Sequence, residues 1–250
     1  MQTLLIKNME NKLFISFQRG YLKMEGVPLS DDIVLFDSFD GSKRAKFFSL
    51  SEWRALDYKD IPFPPVEEKY KFPEHLFLTF KKKQKNIDFH YLEYGSDVKI
   101  LSADFFNFLL ENGLNKNQFE LADIKIVDVD GNSLTEKKYV ALRFGLFDDN
   151  LFDFNKQTSI RTKVNGSTNY LFPDIKLRDG GARKVFVLKD FAYRASIVFS
   201  KQSVISEILK TFNGIDIYSI EDFPFVYSNQ YDEEILPLNN HLKKMKVQSE

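Results

Sequence analysis

Apolar positions along this chain recur at two periods. Short alternating or continuous apolar runs, the signature of strands, lie at residues 12–17, 33–36, 75–80 and 87–94, and again at 139–144 and 184–188. Helical spacing occurs twice. Phe105, Phe106, Leu109 and Leu110 recur at i, i+1, i+4 and i+5, and Val204, Ile205, Ile208, Leu209 and Phe212 repeat the stripe further on. Each stripe sits in the same frame. An apolar strand ends in a serine (98–102, 196–200), a helix ends near a glycine (Gly113, Gly214), and another strand follows (121–129, 215–220). Ser102 and Ser200, or Asp104 and Ser203 just after them, are placed to cap the helix N-termini. Gly113 and Gly214 suit the left-handed position that ends a helix. Internal duplication would leave this frame, and so would convergent α+β wiring. The fold expected is α+β, with mainly antiparallel sheets and a few packed helices.

The breaks between these runs set the organisation. Ile61-Pro62-Phe63-Pro64-Pro65, followed by Pro73, cannot extend a helix or a sheet ladder. It marks a boundary between an N-terminal lobe, residues 1–73, and the remainder, 74–250, and its rings suggest a segment lying on the core. Ser49 and Glu52 have capping-box spacing ahead of a short helix. Lys81, Lys82, Lys83 and Lys85 read as a solvated turn. Asn165-Gly166 and the stretch 178–183 with its adjacent glycines read as further turns. The tail with Lys243, Lys244 and Lys246 is expected to fray.

Composition narrows the class. A chain of 250 residues can bury a substantial core, and 26 phenylalanines make that core one of rings. Net charge is −1, with acids and bases nearly balanced, whereas a nucleic-acid protein usually shows a basic excess. The absence of cysteine excludes disulfides and thiolate metal sites and suits a reducing compartment. The first ten residues make a poor signal peptide, and no run approaches the roughly 18 apolar residues of a membrane span. The expectation is a soluble, cytoplasmic protein with no membrane partner.

Reactive constellations are scarce. Asp128-Val129-Asp130-Gly131 begins like a calcium loop. Counting from Asp128, however, its glycine comes at the fourth place and Tyr139 stands where a bidentate glutamate belongs, so a hairpin turn is the better reading. Asp148, Asp149 and Asp153 could hold a divalent ion, though such spacing is common in loops. His75, His90 and His241 have no partner evident in sequence. No nucleophile elbow, paired-histidine zinc helix or phosphate loop occurs, and no cofactor or metal is expected. For binding, one stretch stands out. From Gly214 to Asn240 there are six acidic residues and no basic ones. Glu221, Asp222, Asp232, Glu233 and Glu234 alternate there with Phe223, Phe225, Tyr227 and Tyr231. Aromatic anchors ringed by carboxylates suit capture of a basic protein; the same rings could equally be buried in a segment wrapped over the core.

From about Lys99 to Pro224 the ordered segments resemble a family of bacterial immunity proteins from polymorphic toxin systems. The match is to the immunity protein 43 group, with the immunity protein 11 group behind it. The resemblance rests on Ile100-Leu101-Ser102 leading into a helix, a strand ending at Val127-Asp128, and Tyr139-Val140-Ala141-Leu142. It continues through Leu151-Phe152-Asp153, Val185-Phe186-Val187-Leu188, Ile197-Val198-Phe199-Ser200 and Gly214-Ile215-Asp216-Ile217. It implies a non-enzymatic, cytoplasmic α+β protein that binds and neutralises a cognate toxin domain by occlusion. The toxin would be basic if the acidic segment is its seat. Two other classes stay open: a structural or adaptor component of a toxin-delivery system, and an enzyme using His90 or the Asp148, Asp149, Asp153 cluster.

Overall fold

The computed structural model describes residues 12–19, 26–44, 46–55, 61–80, 87–95, 97–164, 167–178, 180–191 and 194–230, with backbone alone at 30, 55, 161–164 and 167–170. The fold is α+β and comprises two units that interleave in sequence. One takes Met1–Leu22, Phe108–Asn115 and Phe147–Glu250; the other takes Lys23–Asn107 and Lys116–Leu146. Neither coincides with residues 1–73 or 74–250. The expected turns at Lys81–Lys85 and Asn165-Gly166, and the tail with Lys243, lie outside the described residues.

The second unit carries a six-stranded sheet, ordered Ile33–Phe36, His75–Phe80, Phe119–Val127, Tyr139–Phe144, Val98–Ser102, Tyr91–Tyr94. Neighbours are antiparallel except His75–Phe80 and Phe119–Val127, which run parallel. The sequence patterns follow from this order. Tyr139–Phe144 and Val98–Ser102 are buried at every position and read as continuous runs. In Phe119–Val127, Ala122, Ile124 and Ile126 are buried while Leu121, Asp123 and Lys125 are exposed, the alternation of a half-covered strand. Of the expected strand at 87–94 only Tyr91–Tyr94 is laddered. Phe89 is nonetheless fully buried, its ring 4.5 Å from that of Tyr139, whose hydroxyl accepts the Phe89 N–H at 3.3 Å. Burial pushes the Tyr139 hydroxyl up to about 12.

Arg143 ties together two stretches that flank the proline-rich segment, the turn at Trp53 and the stretch 70–72. That side chain is 3% exposed. It donates to the carbonyls of Trp53 (2.6 Å) and Tyr70 (2.7 Å) and to Glu120 Oε2 (2.9 Å). Glu120 also accepts the Phe72 N–H at 3.1 Å, and the guanidinium sits 5.0 Å from the Phe72 ring. Both carbonyls belong to short 3-10 turns and not to a strand ladder, and one planar five-donor group satisfies the two together. The Ser49–Glu52 capping box does not form. Asp37 takes the N–H groups of Leu50 and Ser51, Glu52 N–H donates to Lys69 O, and only a 3-10 turn, Trp53–Ala55, follows.

The first predicted helix is Ala103–Glu111. Ser102 Oγ accepts the Phe105 N–H at 3.3 Å and caps it. Phe105 and Leu109 are fully buried and Phe108 nearly so, while Phe106 and Leu110 lie half-buried at the margin. The helix ends at Gly113, φ 101°, with Leu114 N–H bonded back to Leu109 O.

The other unit carries a four-stranded antiparallel sheet, ordered Val185–Leu188, Ser196–Phe199, Phe14–Ser16, Ile217–Ser219. The second predicted helix, Gln202–Thr211, buries Val204, Ile205 and Ile208. Its N-cap is Lys201, with no side-chain capping bond; Ser200, expected to cap, instead gives its N–H to Lys184 O. Gly214, φ 76°, follows the helix. The core gathers Ile15, Phe17, Phe186, Leu188, Phe191, Val198 and Phe223. Two antiparallel pairs are also found in this unit, Phe152–Phe154 with Ile175–Leu177 and, between them in the chain, the hairpin of Ile160–Val164 with Ser167–Leu171.

Candidate partner-binding surface

The acidic–aromatic segment begins where the last sheet strand ends. Ile217–Ser219 pairs with Phe14–Ser16, and the chain then turns on Ser219, whose hydroxyl donates to Asp222 Oδ2 at 2.7 Å. A short helix, Phe223–Ser228, follows with Pro224 in its first turn, where the missing N–H costs nothing. The turn sorts the side chains. Phe223 is fully buried, edge-on to Phe17 at 5.1 Å and 5.2 Å from Phe191, and Tyr227 is buried beside it. Glu221, Asp222 and Phe225 face solvent, Phe225 at 65% exposure. Two of the predicted aromatic anchors are therefore core residues, because the helical turn places positions 223, 226 and 227 on the inner face. Tyr231, Asp232, Glu233 and Glu234 lie outside the described residues.

Beside this segment the same unit holds a cleft of about 1100 Å³. Lys12, Lys176, Arg178, Arg183 and Lys201 line it, opposed by Asp174 and Glu221. Arg183 is built in. It donates to Asp148 at 2.9 and 2.7 Å and to Gly113 O at 3.1 Å, with its guanidinium 4.8 Å from the Phe186 ring. Arg178 pairs with Asp153, and Lys12 stands 3.7 Å from Glu221. Lys176 and Lys201 are exposed and have no ion pair among the described residues. Sequence reading missed this cleft because Lys12 and Lys201 join Lys176, Arg178 and Arg183 only through the fold, and the last three stand in or next to the stretch 178–183, which reads as a turn.

The other candidate groups are tied into the fold. Asp148 holds Arg183 and accepts the Val187 N–H at 3.0 Å. Asp149 accepts the N–H groups of Lys189 and Asp190, while burial pushes its carboxyl upward. With Asp153 on Arg178, the three aspartates face three separate partners. No cluster of metal-ligating side chains occurs among the described residues. Asp128 accepts the N–H groups of Asp130 (2.8 Å) and Asn132 (2.9 Å), so its carboxylate closes its own turn. His90 Nδ1 lies 2.8 Å from Ser102 Oγ and its Nε2 lies 3.2 Å from Lys137 Nζ. Burial, then the Lys137 charge, lowers its pKa and keeps the ring neutral near pH 7. Ser102 is fully buried and already accepts a helix N–H, so this pair offers no hydroxyl to a solvent-borne substrate. His75 is on the surface, and His241 lies outside the described residues.

One carboxylate of the acidic segment is buried in the fold. Asp216 is 3% exposed, with Arg19 Nε 4.0 Å away and Tyr218 two residues on. Desolvation raises it to about 6 and raises the Tyr218 hydroxyl as well. This residue belongs to the acidic count of the segment but not to its surface.

Among the described residues no helix is long and apolar enough to cross a membrane. Comparison with curated proteins gives no match. The family model described as immunity protein 43 matches residues 21–235, which spans both units and most of the chain. The chain belongs to the immunity protein 43 family.

Proposed function

We propose that this protein neutralises a cognate bacterial toxin by binding the toxin domain and occluding it, without chemistry of its own. Family membership across residues 21–235 carries the reading. The engagement of His90, Ser102, Asp148, Asp149 and Asp153 by the fold supports it, since an occluding protein needs a complementary surface and no reactive group. The acidic segment is the contact we assign to a basic toxin. Glu221, Asp222 and Phe225 are its exposed part, Phe223 and Tyr227 fix it from below, and Tyr231, Asp232, Glu233 and Glu234 extend it along the chain. An exposed aromatic flanked by carboxylates supplies both an apolar anchor and charge complementarity. The encounter would take place in the cytoplasm, with neither nucleic acid nor membrane as partner.

The test is capture of the partner by the tagged chain from its native cell, followed by growth rescue. A stoichiometric protein that kills alone and is silenced by this chain is the expected result. Glu221→Lys with Asp222→Lys should spare the fold and weaken binding of that protein by about tenfold or more, chiefly through the on-rate. A captured protein that this chain fails to silence would refute the immunity reading. Unchanged affinity in the charge-reversed chain would remove the acidic segment from the interface.

A further inference from the structure

We infer that the cationic cleft is a second contact, of opposite sign, which seats an acidic polypeptide segment of the toxin. This rests on the immunity reading above. The chain as a whole carries −1, yet five cations and only two acids converge on this cleft. Glu221 is already engaged by Lys12, and the two arginines are anchored by Asp148 and Asp153. That leaves Lys176, on the Ile175–Leu177 strand, and Lys201, at the N-cap of the Gln202–Thr211 helix, as exposed charges lining the cleft, against Asp174 alone, whose carboxylate accepts from Asn155. A carboxylate bound between them gains attraction while breaking no existing ion pair.

Two features favour a polypeptide over a small anion. The cleft, at about 1100 Å³, exceeds what an inorganic anion fills and reaches the upper range of ligand pockets. One of its walls is the Ile175–Leu177 strand, which among the described residues pairs only with Phe152–Phe154 in a two-stranded sheet. Its other edge therefore offers backbone donors and acceptors of the kind an extended peptide uses. With Glu221 among the lining residues and Asp222 next to it in the chain, the unit presents acidic and basic contacts side by side. That arrangement selects a partner by charge pattern and rejects one that is uniformly basic.

The cleft can be read without the toxin. Isotope-labelled full-length protein is titrated with hexaglutamate peptide, hexalysine peptide and a short single-stranded oligonucleotide, and its amide resonances are followed. Hexaglutamate should shift Lys176, Arg178 and Lys201 saturably, and hexalysine should not. Lys176→Glu with Lys201→Glu should abolish these shifts at an unchanged melting temperature, and the paired Gln substitutions should weaken them. With the captured toxin, the Glu pair should lower affinity by about tenfold, and more at low salt. The inference is overturned if hexaglutamate leaves these amides in place, if the oligonucleotide binds there more tightly, or if the Glu pair binds toxin as the wild type does. A wild-type protein that fails to hold any toxin while still binding hexaglutamate would instead sink the immunity reading.

Discussion

The two strand–helix–strand copies share a sequence pattern and a topology, but they complete that topology differently. In the first, Val98–Ser102 and Phe119–Val127 both lie antiparallel to Tyr139–Phe144, which sits between them. In the second, Ser196–Phe199 and Ile217–Ser219 flank Phe14–Ser16 in the same way. Each is a split unit, with the two outer strands parallel and a foreign strand inserted. The inserted strand comes from just downstream in one copy and from the far N-terminal side of the chain in the other. Each insertion also brings an arginine to a carboxylate. Arg143 meets Glu120 with further bonds to two carbonyls, whereas Arg19 meets Asp216 at 4.0 Å and Asp216 stays poorly solvated. The same local pattern thus yields one close, multiply bonded buried ion pair and one held at 4.0 Å. The difference lies in what the inserted strand carries along with it.

The largest effect that would break this comparison is a charge placed in either helix. Phe105 and Ile208 are each fully buried. Phe105→Asp or Ile208→Asp should abolish cooperative urea unfolding, since an unpaired buried charge costs a large share of the roughly 5–15 kcal/mol that holds a typical domain together. A variant that melts like the wild type would show that its helix does not pack as described.

The buried carboxylates sharpen the comparison through pH. Asp216 is raised to about 6 in the folded chain against an ordinary value of 3.8. Between those values the folded state binds more protons than the unfolded one, so this group's contribution to stability increases as pH falls from 7 to 4. The full swing is at most about 3 kcal/mol. The difference in unfolding free energy between wild type and Asp216→Asn should therefore grow in favour of the wild type across that window. A flat difference would mean that Asp216 is better solvated or better paired than its surroundings indicate.

The smallest effect separates the two helix starts. Ser102→Ala removes a cap and should cost about 1 kcal/mol. Ser200→Ala removes no cap and leaves its backbone bond to Lys184 in place, so it should cost less than Ser102→Ala. Equal losses in chemical denaturation would erase the distinction between the copies.

Much of the local structure was legible in the sequence because it depends on neighbours in the chain. The helical stripes at Phe105–Leu109 and Val204–Ile208, the glycines at positive φ and the apolar runs of the central strands all follow from steric and burial rules acting over a few residues. The acidic segment was legible as composition, but its orientation was not. Phe223 and Tyr227 turn inward only because a helical turn there faces Phe17 and Phe191. The capping serines illustrate the same limit: one pattern predicted two caps, and the fold uses Ser102 while giving Ser200 a different backbone partner.

By itself, then, the sequence determined the elements, the ring-built core, the lack of thiol chemistry and the family, each a matter of residue type and short spacing. Tertiary structure alone decided which distant strands enter each split unit and that Arg143 ties the turn at Trp53 to the stretch 70–72. It alone decided that Asp148, Asp149 and Asp153 answer separate partners, and that Lys12, Lys176, Arg178, Arg183 and Lys201 share one cleft. The reason is physical. Long-range pairings form where buried polar groups find partners and apolar faces find cover, and neither requirement leaves a periodic trace along the chain.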